Sequence, residues 1–212
     1  PKEAGMMMLV FFISVLLSGR IHNRLLRTAF SLIAIIILYL IQSRNALLFY
    51  VNFIVINLLI KKFGIKQVLL IIVVVYLIVP IYTLVYYFEE VNLLTSYRIS
   101  NWVAGLKFNI FGQLRVNSIA ILGELFKYKF HIDNFYLEFL IEAGVLAFVI
   151  MLLLLCYLGY KIRNFRINGN YVLSIYMAFL IYCLFDAGMF STGNFINVFV
   201  WSIVAFALKN KV

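Results

Sequence analysis

QVLLIIVVVYLIVPIYTLVYYF, residues 67–88, and FYLEFLIEAGVLAFVIMLLLLCYL, residues 135–158, are two long apolar runs, and the stretch between them from Glu89 to Asn134 is polar. Each run is long enough to be a spanning helix, which needs roughly 20 mostly apolar residues to cross about 30 Å of hydrocarbon. A connection as long as the one between them is usually functional or disordered. It ends in His131-Ile132-Asp133-Asn134-Phe135-Tyr136-Leu137, at the mouth of the second run. The expected fold is therefore all-α: a polytopic membrane protein whose working face is this partly helical outer loop.

The rest of the chain has the same character. Apolar residues make up 66% and charged residues 12%, against roughly 45–50% and 25% in soluble domains. Mean hydropathy is +1.06. Spans are expected at 4–19, 25–42, 45–60, 67–88, 135–158, 171–187 and 194–208, about seven in all, within a single helical membrane domain over residues 1–212. No internal repeat or low-complexity linker breaks it. The first span begins beside Pro1-Lys2-Glu3 without a basic n-region, which speaks against a signal peptide. Pro80 is expected to kink the fourth span.

The net charge of +10 raises nucleic acid as a partner, but its distribution follows the membrane. Arg20, Arg24 and Arg27, then Lys61, Lys62 and Lys66, then Lys161, Arg163 and Arg166, then Lys209 and Lys211 fall in every second connection, without acids. That is the positive-inside pattern. The acids fall in the alternate connections or the helix halves facing them. The N-terminus is thus expected outside, the C-terminus in the cytoplasm and the 89–134 loop on the outer face. Within that loop, Ile99, Trp102, Val103, Leu106 and Ile110 share one helical face, and a second amphipathic segment covers about 113–129. Both read as helices lying in the interface. Cys156 and Cys183 read as packing thiols inside spans, near the cytoplasmic halves of their helices. They offer no disulfide or zinc framework.

The strongest candidate chemistry runs into the fifth span. With a helix begun by His131, the residues His131, Asn134, Glu138 and Glu142 fall on nearly one face, because spacings of 3, 4 and 4 follow the 3.6-residue period. Glu142 then sits about 12 Å along the axis from Asn134, a depth at which a carboxylate is costly unless it faces a cavity or a partner. The structural alternative is that Asp133 or Asn134 caps the helix. Capping cannot account for Glu142, which is too far from the helix start. A second signal is Gln42-Ser43-Arg44-Asn45-Ala46-Leu47, a polar break between two apolar runs. Arg44 there, with Arg98 and Arg115 in the loop, supplies forked donors suited to phosphate oxygens. Cations plus a base on one side of a membrane suit phosphate-ester or diphosphate substrates presented by lipid. No metal-ligand cluster, P-loop, GxGxxG or GxSxG is found, and no cofactor is expected.

At these residues the chain resembles the O-antigen polymerase and ligase superfamily, the Wzy-type bacterial membrane glycosyltransferases. The resemblance rests on Ser43-Arg44-Asn45-Ala46-Leu47 between two spans, on Arg98 and Trp102 early in a large outer loop, and on the 131–137 motif followed by Glu142-Ala143-Gly144. It covers about 28–208. It implies a GT-C-like fold, further spans before Pro1, a place in the bacterial cytoplasmic membrane, and an undecaprenyl-diphosphate-linked glycan as substrate. Arg44, Arg98 and Arg115 would hold the donor diphosphate, while His131, Asp133 or Glu142 would deprotonate the acceptor hydroxyl. Asn134 and Glu138 would contact substrate beside them. Membrane lipid and a chain-length regulator protein would be partners, and nucleic acid would not. A second family glycine near Gly144 is here Ala147. A ligase of the same superfamily, or a non-catalytic transporter or flippase component, are the alternative readings.

Overall fold

In the computed structural model the described residues are 2–19, 21, 23–78, 82, 86–87, 89–90, 100, 134–163, 169–186, 189 and 195–209. Among them, every regular element is helical: α1 Lys2–Leu17, α2 Arg24–Leu40, α3 Arg44–Phe63, α4 Ile65–Val73 continuing into a π-helical turn Val74–Ile78, α5 Phe135–Arg163, α6 Gly169–Tyr182 and α7 Phe195–Lys209. Each of the seven expected apolar segments carries one of these helices. The sixth is shorter than expected: the helix stops at Tyr182, and Cys183 and Leu184 form a turn. In the fourth, the irregularity falls at Val74–Ile78. Pro80, where a kink was expected, lies outside the described residues, as do the two amphipathic segments of the 89–134 loop apart from Ser100.

The helix ends follow local chemistry. Asn23 caps α2, its side chain accepting from the Leu25 N–H at 2.8 Å, which satisfies one of the otherwise orphaned first-turn donors. Gln42, at φ 57, turns the chain between α2 and α3. Gly64, at φ 80, ends α3 and donates its N–H to the Ile60 carbonyl, since a left-handed terminator favours a residue without Cβ.

The chain divides into two compact units. Unit 1 comprises 1–64, 158–182 and 188–212. Its centre is α3, which packs against α1, α2 and α6, while α6 and α1 also touch α7. The buried side of α3 carries Ala46, Phe49, Tyr50, Phe53, Ile56 and Ile60, the i, i+3, i+4, i+7 recurrence of one helical face. The inner helix is α6, buried almost continuously from Val172 to Phe179. Aromatic edges lock the layers: Phe12 against Tyr50, Phe49 against Tyr182 and Phe179 against Trp201. Where α1 meets the start of α3, a Cβ at Gly5 would overlap Ser43. A small residue there lets the two backbones approach closely.

Unit 2 comprises 65–157 and 183–187. It holds α4, most of α5 and the segment after α6. Within α5, Gly144 leaves the helical region at φ 83, ψ 171. This is conformational space that is essentially glycine-only, so α5 is two helical segments joined at a break. The N–H of Phe135 donates to the Cys183 carbonyl at 3.0 Å, tying the start of α5 to the 183–187 segment.

Among the described residues many large apolar side chains are exposed and six polar ones are buried. Leu25 is 78% exposed, Leu146 77% and Leu40 71%, with Leu153, Phe206 and Leu58 also exposed. Ser43, Asn52, Asn57, Asn134, Ser174 and Asn197 are buried. Among the described residues two helices, α3 and α5, are long and apolar enough to cross a membrane, and the remaining apolar helices are shorter. The cysteines depart from expectation in two respects. Cys156 is exposed on α5 and only Cys183 is buried. Cys183 also lies past the C-terminus of α6, at the end away from the basic 161–166 connection that precedes the helix.

Candidate functional site

Asn134 begins the site. It is buried, and its Oδ1 accepts from the Leu137 N–H at 3.1 Å, while its carbonyl accepts from the Glu138 N–H at 3.0 Å. These are the bonds of an N-cap, and they show why the helix starts where it does: a short amide side chain satisfies a first-turn donor at a modest entropic cost. The described helix therefore begins at Phe135, and His131, the head of the expected stripe, lies outside the described residues. The helical face carries Glu138 and Glu142, with Asn134 as its cap, and of the two capping alternatives Asn134 is the one observed.

Glu138 and Glu142 are half-buried and one turn apart, so their side chains are neighbours on one face. Glu138, in the first turn, is favoured by the positive end of the helix. Glu142 is in the opposite situation. It lies two residues before the break at Gly144, at the carbonyl end of its segment, where the helix dipole disfavours a carboxylate. Interrupting the helix also frees backbone carbonyls at that end. A carboxylate at such a helix end makes an acceptor-rich locus, suited to hydroxyl donors. Both glutamates engage other groups in the structure, as does Asp186, which is half-buried in the 183–187 segment tied to the start of α5.

The remaining expected residues divide as follows. Arg44 is the first residue of α3, exposed at its N-terminus, and belongs to unit 1. Ser43, at the cap position of that helix, makes no capping bond and is buried beneath Gly5 instead. Arg98, Arg115, His131 and Asp133 lie outside the described residues. Within unit 2 the described residues of the expected site are Asn134, Glu138 and Glu142, at the cap and on one face of α5. Among the described residues no group of three or more His, Cys, Asp and Glu side chains is arranged to hold a metal ion.

Two features were missed in the sequence. The break at Gly144 had a signal, an isolated glycine within an apolar run directly after Glu142. The buried amides Asn52, Asn57 and Asn197 also had one, each being a polar side chain inside a candidate span. No protein-family model, no curated protein and no solved structure matches this chain.

Proposed function

We propose that the chain is a multi-pass protein of the bacterial cytoplasmic membrane that polymerises undecaprenyl-diphosphate-linked oligosaccharide repeat units into O-antigen, capsule or exopolysaccharide at the outer face. The membrane part of this reading is supported by two features together: large apolar side chains such as Leu25, Leu40, Leu146 and Phe206 are exposed, while Asn52, Asn57 and Asn197 are buried. Large exposed apolar side chains in such number mark surface that meets something other than water. The catalytic part is carried by one observation, the segment Asn134–Gly144, where Glu138 and Glu142 occupy one face of a helix that Gly144 ends abruptly.

The chemistry follows from those groups. Glu142 accepts the proton of the acceptor hydroxyl, whose oxygen attacks the anomeric carbon of the donor sugar. The bond from that carbon to the diphosphate oxygen breaks, and the diphosphate leaves with the bonding electrons. Arginines stabilise that developing charge without a metal: Arg44, with Arg98 and Arg115 of the loop. His131 and Asp133 are the alternative bases. A base needs only to reach the hydroxyl within hydrogen-bond distance.

One observation favours a second reading. A helix interrupted at membrane depth is a feature of transporters, and α5 is interrupted at Gly144. A transporter or flippase component would use the same acceptor-rich break to bind sugar hydroxyls without bond-making. Complementation separates the two. The gene in full, expressed in a strain lacking its polymerase but supplied with the matched repeat unit, is expected to restore a glycan ladder. Glu142→Gln and Arg44→Ala are expected to lose it at unchanged protein level. If wild-type protein yields no ladder while lipid-linked repeat units reach the outer leaflet only in its presence, transport replaces polymerisation.

A further inference from the structure

Arg27, Lys61 and Tyr171 meet at one end of unit 1. Arg27 lies in the first turn of α2, Tyr171 in the first turn of α6 and Lys61 in the last turn of α3. The Tyr171 hydroxyl oxygen accepts from Arg27 Nη1 at 3.0 Å and from Lys61 Nζ at 3.3 Å. Lys61 Nζ also lies 4.6 Å from the centroid of the Tyr171 ring. The guanidinium is clamped on its other side, where Nη2 donates to the Ile21 carbonyl at 2.9 Å.

Two cations therefore share one neutral oxygen, and among the described residues neither is paired with a carboxylate. The sole acid in the sequence of unit 1 is Glu3. It precedes Gly5, which packs at the start of α3, the end away from Lys61. The α3 dipole accounts for Lys61, because a cation at a helix C-terminus is favoured. It does not account for Arg27, which is placed in the first turn of α2, where the same dipole opposes a positive charge. Like charges this close repel, and the N-terminus of α6 adds further partial positive charge beside them. What relieves all of this is an anion.

We infer that Arg27, Lys61 and Tyr171 form a phosphate-binding site. Forked guanidinium donors beside an ammonium group match the oxygens of a phosphate ester, and the phenol holds the two cations at a fixed spacing. Apolar surface adjoins the site: Leu58, three residues before Lys61 on the same side of α3, is 59% exposed, and Leu25 and Leu26 on α2 are exposed as well. That surface would accommodate acyl chains, which makes an anionic phospholipid headgroup the expected source. The lipid source rests on the membrane reading above; the phosphate site itself does not.

The test is thermal unfolding of the detergent-purified protein with added phosphatidylglycerol against phosphatidylcholine. In parallel, inorganic phosphate is set against chloride at matched ionic strength, and bound lipid is counted by native mass spectrometry. Phosphatidylglycerol is expected to raise Tm above phosphatidylcholine. Its apparent affinity is expected to fall by about tenfold in Arg27→Gln, Lys61→Gln and Tyr171→Phe, the scale of a lost charge-assisted hydrogen bond. Lys62→Gln is expected to leave it unchanged. Tyr171→Phe preserves net charge, so its loss separates a built site from general basicity, and the exposed Lys61 provides a variant that spares the core. A response to phosphatidylglycerol alone supports a lipid site, and a response to phosphate as well supports a headgroup site that needs no acyl chain. Equal phosphatidylglycerol binding by wild type and Tyr171→Phe, or no response to either probe, overturns the proposal. None of these readings depends on glycan synthesis, so the site can fail while the polymerase reading stands, and the reverse.

Discussion

In unit 1 the helices run over a buried aromatic core, and Glu3 is the only acid. Unit 2 holds every other acid of the chain, together with the glycine break in α5 and the π-helical turn after α4. Departures from helical hydrogen bonding in an apolar setting leave backbone groups that must be satisfied by neighbours or by a wet cavity. The acids other than Glu3 thus lie in the unit with irregular backbone, and the aromatic core lies in the other. Strained backbone concentrates at functional sites because only there is its cost offset by what it does.

The largest effect that would sharpen this contrast is on activity. Glu142→Gln keeps the shape of the side chain and removes the proposed base, and a general base is worth about 10²–10⁴-fold in rate. Glycan polymer is expected to fall by that order, read as ladder intensity at equal protein level. The same substitution at Glu3, in unit 1, is expected to leave the ladder intact. Equal losses from both would erase the functional distinction between the units.

Backbone strain comes next. Gly144→Ala forces a Cβ into a region that costs roughly 1–3 kcal/mol for other residues, and straightening α5 instead would displace Glu142. Tm in detergent is expected to drop and activity to fall with it. Gly5→Val in unit 1 is expected to cost a similar 1–3 kcal/mol by overpacking against Ser43. Unlike Gly144→Ala, it should act through stability alone, with activity per folded molecule retained. A Gly144→Ala protein with unchanged Tm and full activity would show that the break has no role.

Much of this architecture was legible because apolar segments of spanning length dictate helices whatever their partners. The seven segments could be read from composition, and the cap at Asn134 from the preference of short amides for the start of a helix. What could not be read depends on contacts between segments. Gly5 matters because Ser43 lies over it, and Arg27 and Lys61 matter because Tyr171, more than a hundred residues away in sequence, joins them. The start of α5 has a local reason: the Asn134 side chain satisfies a first-turn donor, and the helix begins at the next residue. Asn134→Ala is accordingly expected to cost about 1 kcal/mol, measurable as a lower Tm without the fold-scale loss of activity expected of Glu142→Gln.

The smallest effect concerns the polar interior of unit 1. Asn57 is buried on α3, and its Oδ1 meets no hydrogen-bond donor among the described residues. An unsatisfied buried acceptor costs roughly 1–3 kcal/mol, whereas Leu at this position would fill similar volume with no polar atom to desolvate. If the interior of α3 only supports the fold, Asn57→Leu should be neutral or should raise Tm, a gain of up to about 1 kcal/mol, with glycan synthesis unaffected. A lower Tm, or a lost ladder at normal Tm, would mean that the amide is served by a bound molecule such as water.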